Sequence, residues 1–146
     1  ASGHAAAILA NSDEKARLAM IEYGKQLGIA FQLIDDALDY SASSEILGKN
    51  LGDDLAEGKP TLPIIYAIKN SSQTEKNIIQ KAIKNGDLTK LSIIQEIIKS
   101  TGAIKYTVMR AQQAADSAIK ASSMLPESSY KEALISIANF AVQRQN

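Results

Sequence analysis

Apolar residues recur every three or four positions along most of this chain, which is the spacing of α-helices that bury one face. Ala, Leu, Ile, Lys, Gln and Glu dominate, and proline occurs only three times. No alternating run of apolar and polar residues bounded by turns predicts a strand. The pattern therefore predicts an all-α protein with short connections.

The first part of the chain is predicted to hold a short helix and then an unusually long one. An apolar stretch covers residues 3–10, and Asn11-Ser12-Asp13-Glu14 then supplies a capping side chain and first-turn acids. Helical spacing continues from there to about Ser41. Residues 42–60 are predicted to be an irregular loop because they contain Gly48, Gly52, Gly58 and Pro60.

Helix start and stop signals divide the second part. Thr61-Leu62-Pro63 starts a short helix, and Ser72 with Glu75 has the spacing of a capping box that opens the next one, closed by Gly86. Three more helices are expected over about Leu88 to Ser100, Ala103 to Leu125, and Ser129 to Gln143. Gly102 and Pro126 end the first two, and Ser129 with Glu132 reads as the capping box of the last.

Composition excludes several kinds of chemistry. The chain has 146 residues, and 16 basic residues balance 16 acidic ones, so neither nucleic acid nor an anionic membrane is an expected partner. Without cysteine there is no disulfide, thiolate nucleophile or zinc-thiolate cluster. The only histidine, His4, lies near the start, which excludes a Ser-His-Asp triad and a multi-histidine metal site.

Neither a membrane span nor a secretory leader is predicted. The longest apolar run, residues 5–10, is far shorter than the ~18 residues that a spanning helix needs. The start lacks a basic segment and a long apolar core. It also lacks methionine, which is typical of a fragment, a processed chain or an incomplete start. We expect a cytoplasmic protein.

The charge is concentrated in one window. Between Asp35 and Lys59, seven acidic residues and two lysines give a formal charge of −5, and the remainder of the chain carries +5. The candidate site is therefore this window.

Three aspartates interrupt a helix that is apolar on nearly every side. Asp35 and Asp39 lie one turn apart on one face, with Asp36 beside them, and no basic residue lies within a turn. Acidic residues on a helix are usually a solvated face, but buried, unpaired carboxylates are costly. A cation is therefore expected between them, and oxygen ligands without His or Cys favour Mg²⁺, completed by water or phosphate.

The following loop carries Lys49 and Lys59, each directly after a glycine. Glycine permits close backbone approach to a ligand, and lysine places a point charge on phosphate oxygens. A solvated surface loop is the alternative. Beside a carboxylate metal site, the combination favours a metal-bridged diphosphate, and no Walker-type phosphate loop is present.

These residues together form a compound motif. Phe31-Gln32-x-x-Asp35-Asp36-x-x-Asp39-Tyr40 is followed by Gly48-Lys49-x-x-Gly52-x-Asp54-x-x-Glu57-Gly58-Lys59-x-Thr61-Leu62-Pro63. It resembles the second aspartate-rich region of trans-isoprenyl diphosphate synthases (polyprenyl synthetases), most of all their long-chain, octaprenyl-type members. The segment from Leu134 to Arg144 is also similar.

The resemblance implies a fold, an activity and partners. The fold is the isoprenoid synthase helical bundle. The activity is Mg²⁺-assisted ionisation of an allylic diphosphate and its condensation with isopentenyl diphosphate, giving an all-trans, octaprenyl-type product, a precursor of quinone side chains. Family members commonly form homodimers.

The resemblance also implies roles for individual residues. The implied metal ligands are Asp35 above all, then Asp36, Asp39 and Asp54. Gln32 matches a position near the bound diphosphate, and Phe31 one near the reacting hydrocarbon ends. Lys49 and Lys59 match lysines that contact the allylic diphosphate, so Asp35, Lys49 and Lys59 are the candidate catalytic residues.

The chain departs from the family in length. Family members are about twice as long, and neither a first aspartate-rich motif nor the upstream elements that hold isopentenyl diphosphate occur here. Residues 1–146 are therefore expected to be the C-terminal portion of a single all-helical domain, inactive alone. The alternatives are a non-catalytic subunit that binds diphosphate or partners a synthase, a helical terpene cyclase, which the loop motif disfavours, and a purely structural bundle.

Overall fold

The computed structural model describes residues 2–41 and 51–144, and these contain helices and no strand. The prediction of an all-α chain is confirmed. The helices are α1 (Ser2–Leu9), α2 (Glu14–Leu38), α3 (Asp53–Ala56), α4 (Leu62–Asn70), α5 (Gln73–Asn85), α6 (Leu91–Ser100), α7 (Ala103–Ser122) and α8 (Ser129–Gln143). In the described part, no helix is both long and apolar enough to cross a membrane.

Two long helices end earlier than the sequence predicts, and serine is the physical reason in both. Helix α2 ends at Leu38, whose carbonyl accepts hydrogen bonds from the amide and the hydroxyl of Ser41, at 3.1 and 3.2 Å. Helix α7 ends at Ser122, whose hydroxyl donates to the Ile119 carbonyl at 2.7 Å. A serine hydroxyl that hydrogen-bonds to such a carbonyl competes with the backbone amide that would bond to it in a continuing helix.

Both predicted capping boxes lie at the start of a helix, but only one of them has the predicted capping residue. At α5, Ser72 and Glu75 form the predicted reciprocal box, and Gly86 closes the helix in the left-handed conformation. At α8, the cap is Ser128, whose hydroxyl accepts from the Lys131 amide at 3.3 Å, so the predicted Ser129 box is incorrect. The helix predicted from Leu88 begins as a 3-10 turn before α6.

The predicted irregular loop at 42–60 contains α3 within its described part. Gly52 precedes this single turn in the left-handed conformation, with φ 82°, and two acids occupy the first turn. Residues 42–50 lie outside the described part of the chain.

The chain divides into two compact units, each with its own core. Unit one comprises Ala1–Ile34 and Arg110–Asn146, and unit two comprises Asp35–Met109. Small side chains, including Ala114, Ala115 and Ala138, dominate the buried residues of unit one, where the Tyr23 hydroxyl donates to the Leu134 carbonyl at 2.8 Å. The core of unit two is richer in large aliphatics, with Leu55, Ile64, Ile79, Ile94 and Ile98 fully or nearly fully buried.

Gly86 is expected to tolerate a side chain much less well than Gly102. Both have positive φ, 60° and 71°, so alanine at either position pays about 1–2 kcal/mol for the left-handed conformation. A Cβ at Gly86 would lie 2.6 Å from the Ala56 carbonyl oxygen, whereas nothing lies within 4 Å of one at Gly102. We expect Gly86→Ala to destabilise the protein by about 1–3 kcal/mol more than Gly102→Ala, as overpacking does. The denaturant midpoints of the two variants measure the difference in stability. Equal shifts of the midpoint would show that α3 moves away from the added methyl group at no cost.

Candidate functional site

The acidic residues lie where α2 ends. Asp35 and Asp36 occupy its last turn, and Asp39 lies just beyond it. The Asp36 side chain is buried, with 7% exposed, and Asp35 and Asp39 are half-buried. No basic residue occupies the last turn of α2. The structure thus places these carboxylates in partly desolvated surroundings, where charge is costly without a partner.

The Asp39 carboxylate caps α3. Its Oδ1 accepts from the Asp53 amide and its Oδ2 from the Asp54 amide, both at 3.1 Å, and the Asp39 carbonyl accepts from the Gly52 amide at 3.2 Å. Gly52 has no side chain to cap these amides itself, so Asp39 satisfies them from a distant position in the sequence. Asp39 therefore ties the end of α2 to the turn that carries Asp54.

Burial raises the pKa of Asp39 above its ordinary value, and the negative charges of Asp54 and Asp53 add to the rise. The two amide hydrogen bonds act in the opposite direction without cancelling it. A nearby cation would relieve this repulsion, so the electrostatics of this cluster favour binding positive charge.

Lys59 lies over the same turn. Its ammonium contacts the Glu57 carboxylate and lies 3.6 Å from Asp54 Oδ1, and its amide donates to the Asp54 carbonyl at 2.8 Å. The hydrogen bond and charge of Glu57 raise the pKa of Lys59. The Lys59 side chain is 56% exposed, so its ammonium remains reachable by a ligand. Lys49, the other predicted lysine, lies outside the described residues.

Leu55 anchors this turn in the core of unit two. Its side chain is 0% exposed and belongs to the cluster with Ile64, Ile79 and Ile94. Gly58 adopts φ 70°, and a Cβ there would lie 3.0 Å from the Ile83 carbonyl oxygen, so the chain also passes close to α5. The segment that carries Asp54 and Lys59 is therefore packed against the core of unit two.

Tyr40 and Thr61 belong to the compound motif, but no role at the site is predicted for either of them from the sequence. The Tyr40 side chain is 3% exposed, and its carbonyl accepts from Gln95 Nε2 at 3.3 Å. The Thr61 hydroxyl lies beside that of Tyr40, and burial raises the pKa of Tyr40 so that it stays protonated. Both hydroxyl oxygens are buried. No sequence pattern predicts that these two side chains meet.

Phe31 and Gln32 lie on α2 within unit one. The Phe31 ring is half-buried, and the Arg144 guanidinium stacks over it at 4.6 Å from the ring centroid. Such a cation–π contact is attractive. Gln32 is exposed.

The donor set fits a hard cation. Asp35, Asp36, Asp39 and Asp54 offer only carboxylate oxygens, the ligands that Mg²⁺ prefers. Over residues 2–41 and 51–144, no three His, Asp or Glu side chains converge to hold a metal ion. A magnesium ion here would accordingly take one or two carboxylates and complete its shell with water or ligand phosphate, as Mg²⁺ commonly does.

Comparison with known proteins gives one family. The model of the polyprenyl synthetase family matches residues 1–101. An octaprenyl diphosphate synthase from Haemophilus influenzae is 44% identical over 144 residues, which are 98% of this chain and 44% of that protein. The chain thus spans less than half the length of this curated relative.

Solved structures resemble the whole chain in fold. A polyprenyl synthase from Caulobacter crescentus, complexed with calcium and isoprenyl diphosphate, superposes with a TM-score of 0.87 at 41% identity, over 98% of this chain and 44% of that one. A decaprenyl diphosphate synthase from Rhodobacter capsulatus gives a TM-score of 0.88 at 32% identity, over 98% and 45%.

Proposed function

Because the chain belongs to the polyprenyl synthetase family, we propose that residues 1–146 are the C-terminal portion of a single all-helical prenyltransferase domain. The complete enzyme condenses an allylic diphosphate with isopentenyl diphosphate. Octaprenyl-type relatives support a long-chain, all-trans product. The family resemblance further leads us to propose a homodimer that works in the cytoplasm.

One observation carries the proposal. Asp39 and Leu55 hold the single turn α3, which carries Asp54 beside the acidic end of α2, and the ammonium of Lys59, a few residues later, lies 3.6 Å from Asp54 Oδ1. Carboxylates that can share a metal ion and a lysine that can reach an anion are the two parts that diphosphate binding needs.

The reaction breaks the C–O bond between the allyl group and its diphosphate. The allylic carbon then bonds to the double bond of isopentenyl diphosphate, and the released diphosphate takes the proton that is lost. Magnesium, when bound, supplies Lewis-acid assistance to the departing diphosphate. We propose that Asp35 and Asp36 hold it, with Asp39 and Asp54 completing the acidic network.

Side chains of this chain are proposed to stabilise the negative charge that develops on the departing diphosphate. Lys59, and Lys49 by resemblance, donate hydrogen bonds to the diphosphate oxygens and stabilise their growing negative charge. For Gln32, the family resemblance implies only a position near the bound diphosphate. The family resemblance assigns Phe31 a position near the reacting hydrocarbon ends, and the Arg144 guanidinium stacks over its ring.

Incubating the full-length protein with a short allylic diphosphate, labelled isopentenyl diphosphate and Mg²⁺ tests the activity. We expect elongated products that disappear when the metal is chelated. Diphosphate binding without elongation would favour the non-catalytic subunit instead. The isolated chain is expected to be inactive, and turnover by residues 1–146 alone would contradict the assignment as an incomplete portion.

Lys59→Ala in the full-length protein is expected to raise the KM for the allylic diphosphate by about 10–100-fold, because it removes a hydrogen bond to a charged group. Steady-state kinetics measure the change. Lys84→Ala, which removes an exposed lysine from α5, is the matched control and should leave the KM unchanged. Equal KM values for the two variants would remove Lys59 from the binding site.

A further inference from the structure

Asp39 makes hydrogen bonds on both sides of the acidic cluster. Its amide donates to the Asp35 carbonyl at 3.1 Å, so its backbone continues the hydrogen-bonding pattern of α2. Its carbonyl accepts from the Gly52 amide at 3.2 Å, and its two carboxylate oxygens accept from the Asp53 and Asp54 amides, each at 3.1 Å. Asp39 therefore links the acidic end of α2 to the start of α3 through both its backbone and its side chain.

Helix α3 depends on the Asp39 carboxylate for its first amides. A helix leaves the amides of its first turn without partners inside the helix. Gly52, the residue before α3, has no side chain and caps none of them. If the Asp39 carboxylate moved onto a metal ion, the amides of Asp53 and Asp54 would lose their acceptor, which costs free energy where the amide is partly buried, as at Asp54.

The turn that Asp39 caps is connected to Lys59. The Asp54 carbonyl accepts from the Lys59 amide at 2.8 Å, and Asp54 Oδ1 lies 3.6 Å from the Lys59 ammonium. The backbone of Asp54 thus joins Asp39 on one side to Lys59 on the other. Loss of the Asp39 carboxylate would therefore disturb both Asp54 and Lys59 through hydrogen bonds that the structure contains.

We infer that Asp39 is a positioning residue and not a metal ligand. Its carboxylate holds α3 in place, which keeps Asp54 and Lys59 within reach of a metal ion and a diphosphate bound beside Asp35. Residues that orient metal ligands are often nearly as important for affinity as the ligands themselves. The inference rests on the proposed function of Asp35, Asp54 and Lys59.

Two substitutions of Asp39 in the full-length protein separate positioning from metal ligation. Asp39→Ala removes both acceptors, whereas Asp39→Asn removes the charge and keeps one oxygen that can accept from an amide. Asparagine caps helices about as well as aspartate does, but it lacks the negative charge that carboxylates bring to Mg²⁺. The same two substitutions at Asp35 show how a metal ligand responds.

Asp13→Ala is the matched control for the loss of a capping aspartate. Asp13 lies at the other end of α2, where its Oδ1 accepts from the Ala16 amide at 2.8 Å. This variant should lower the stability of the ligand-free protein and leave diphosphate binding unchanged.

Two quantities are measured for every variant. Denaturation of the ligand-free protein reports the cap, and calorimetric titration with inorganic diphosphate at a series of Mg²⁺ concentrations reports the ligand site. Asp39→Ala is expected to lower the denaturant midpoint and to weaken diphosphate binding about 10–100-fold. Asp39→Asn should bind diphosphate within about threefold of the unaltered protein and require the same Mg²⁺ concentration. Asp35→Asn should instead bind as weakly as Asp35→Ala and require more Mg²⁺.

Two results would overturn the inference. Equal losses of binding in Asp39→Asn and Asp39→Ala, with a higher Mg²⁺ requirement in both, would identify Asp39 as a metal ligand. A lower denaturant midpoint of Asp39→Ala with unaltered diphosphate binding would show that the cap serves the fold alone. A different result marks failure of the proposed function itself: the unaltered protein would then show no Mg²⁺-dependent diphosphate binding, and the inference would fail with it.

Discussion

Replacing Asp35 by alanine in the full-length protein is expected to lower the rate of Mg²⁺-dependent condensation by about 10²–10³-fold, the loss seen when one group that stabilises transition-state charge is removed. Asp35 is half-buried in the last turn of α2, one turn before Asp39, whose carboxylate is occupied by two amides. The family resemblance makes Asp35 the carboxylate on which the metal depends most, and Asp36 lies beside it.

The measurement is the initial rate as a function of Mg²⁺ concentration. Glu96→Ala, which removes an exposed acid from α6 in the same unit, is the matched control and should behave as the unaltered protein. Asp35→Asn keeps the shape and removes the charge, so it should lose activity as alanine does. Unchanged turnover of Asp35→Ala at saturating Mg²⁺ would refute its role as a metal ligand.

Leu55→Ala is expected to destabilise the full-length protein by about 2–5 kcal/mol, the cost of removing a buried leucine and leaving a cavity. Leu55 is 0% exposed and is the buried side chain of α3. Because the same turn carries Asp54, the loss of this anchor should also raise the KM for the allylic diphosphate. Denaturant midpoints and steady-state kinetics measure the two effects.

Leu9→Ala is the control for Leu55→Ala, since it deletes the same atoms from a side chain that is 87% exposed. Its stability should change by no more than about 0.5 kcal/mol. If Leu55→Ala lowers stability while the KM stays constant, packing of α3 does not position the binding residues. Similar small shifts in both variants would show that α3 is not anchored at all.

The fold was predictable where local physics decides it. The helical spacing and the Ser72–Glu75 box placed α5 correctly, because both depend on residues within a few positions. The ends of α2 and α7 were misplaced because a serine hydroxyl competes for a backbone carbonyl at each end. The spacing of apolar residues carries no information about this competition. At α8, two adjacent serines offered caps, and the structure uses Ser128, the first.

The candidate site was predictable in its chemistry and not in its construction. The excess of acidic residues after Asp35 and the two glycine-flanked lysines marked the segment and the kind of ligand. The short helix α3 had a signal, the first-turn acids Asp53 and Asp54 after a glycine, which the surrounding loop residues obscured. The capping of α3 by Asp39 and the meeting of Tyr40 with Thr61 are long-range contacts, and no local pattern encodes them.

Because carboxylates already surround Lys59, binding of a diphosphate would exchange one set of anionic partners of this lysine for another. In the ligand-free protein, Glu57 and Asp54 already surround its ammonium. On the proposed function, an arriving diphosphate replaces carboxylate oxygens with phosphate oxygens around the same cation, and at no stage does the lysine stand without a counter-charge. Added salt screens both sets of contacts at this exposed position. The share of the affinity that comes from Lys59 should therefore depend less on ionic strength than that of a lysine without carboxylate neighbours.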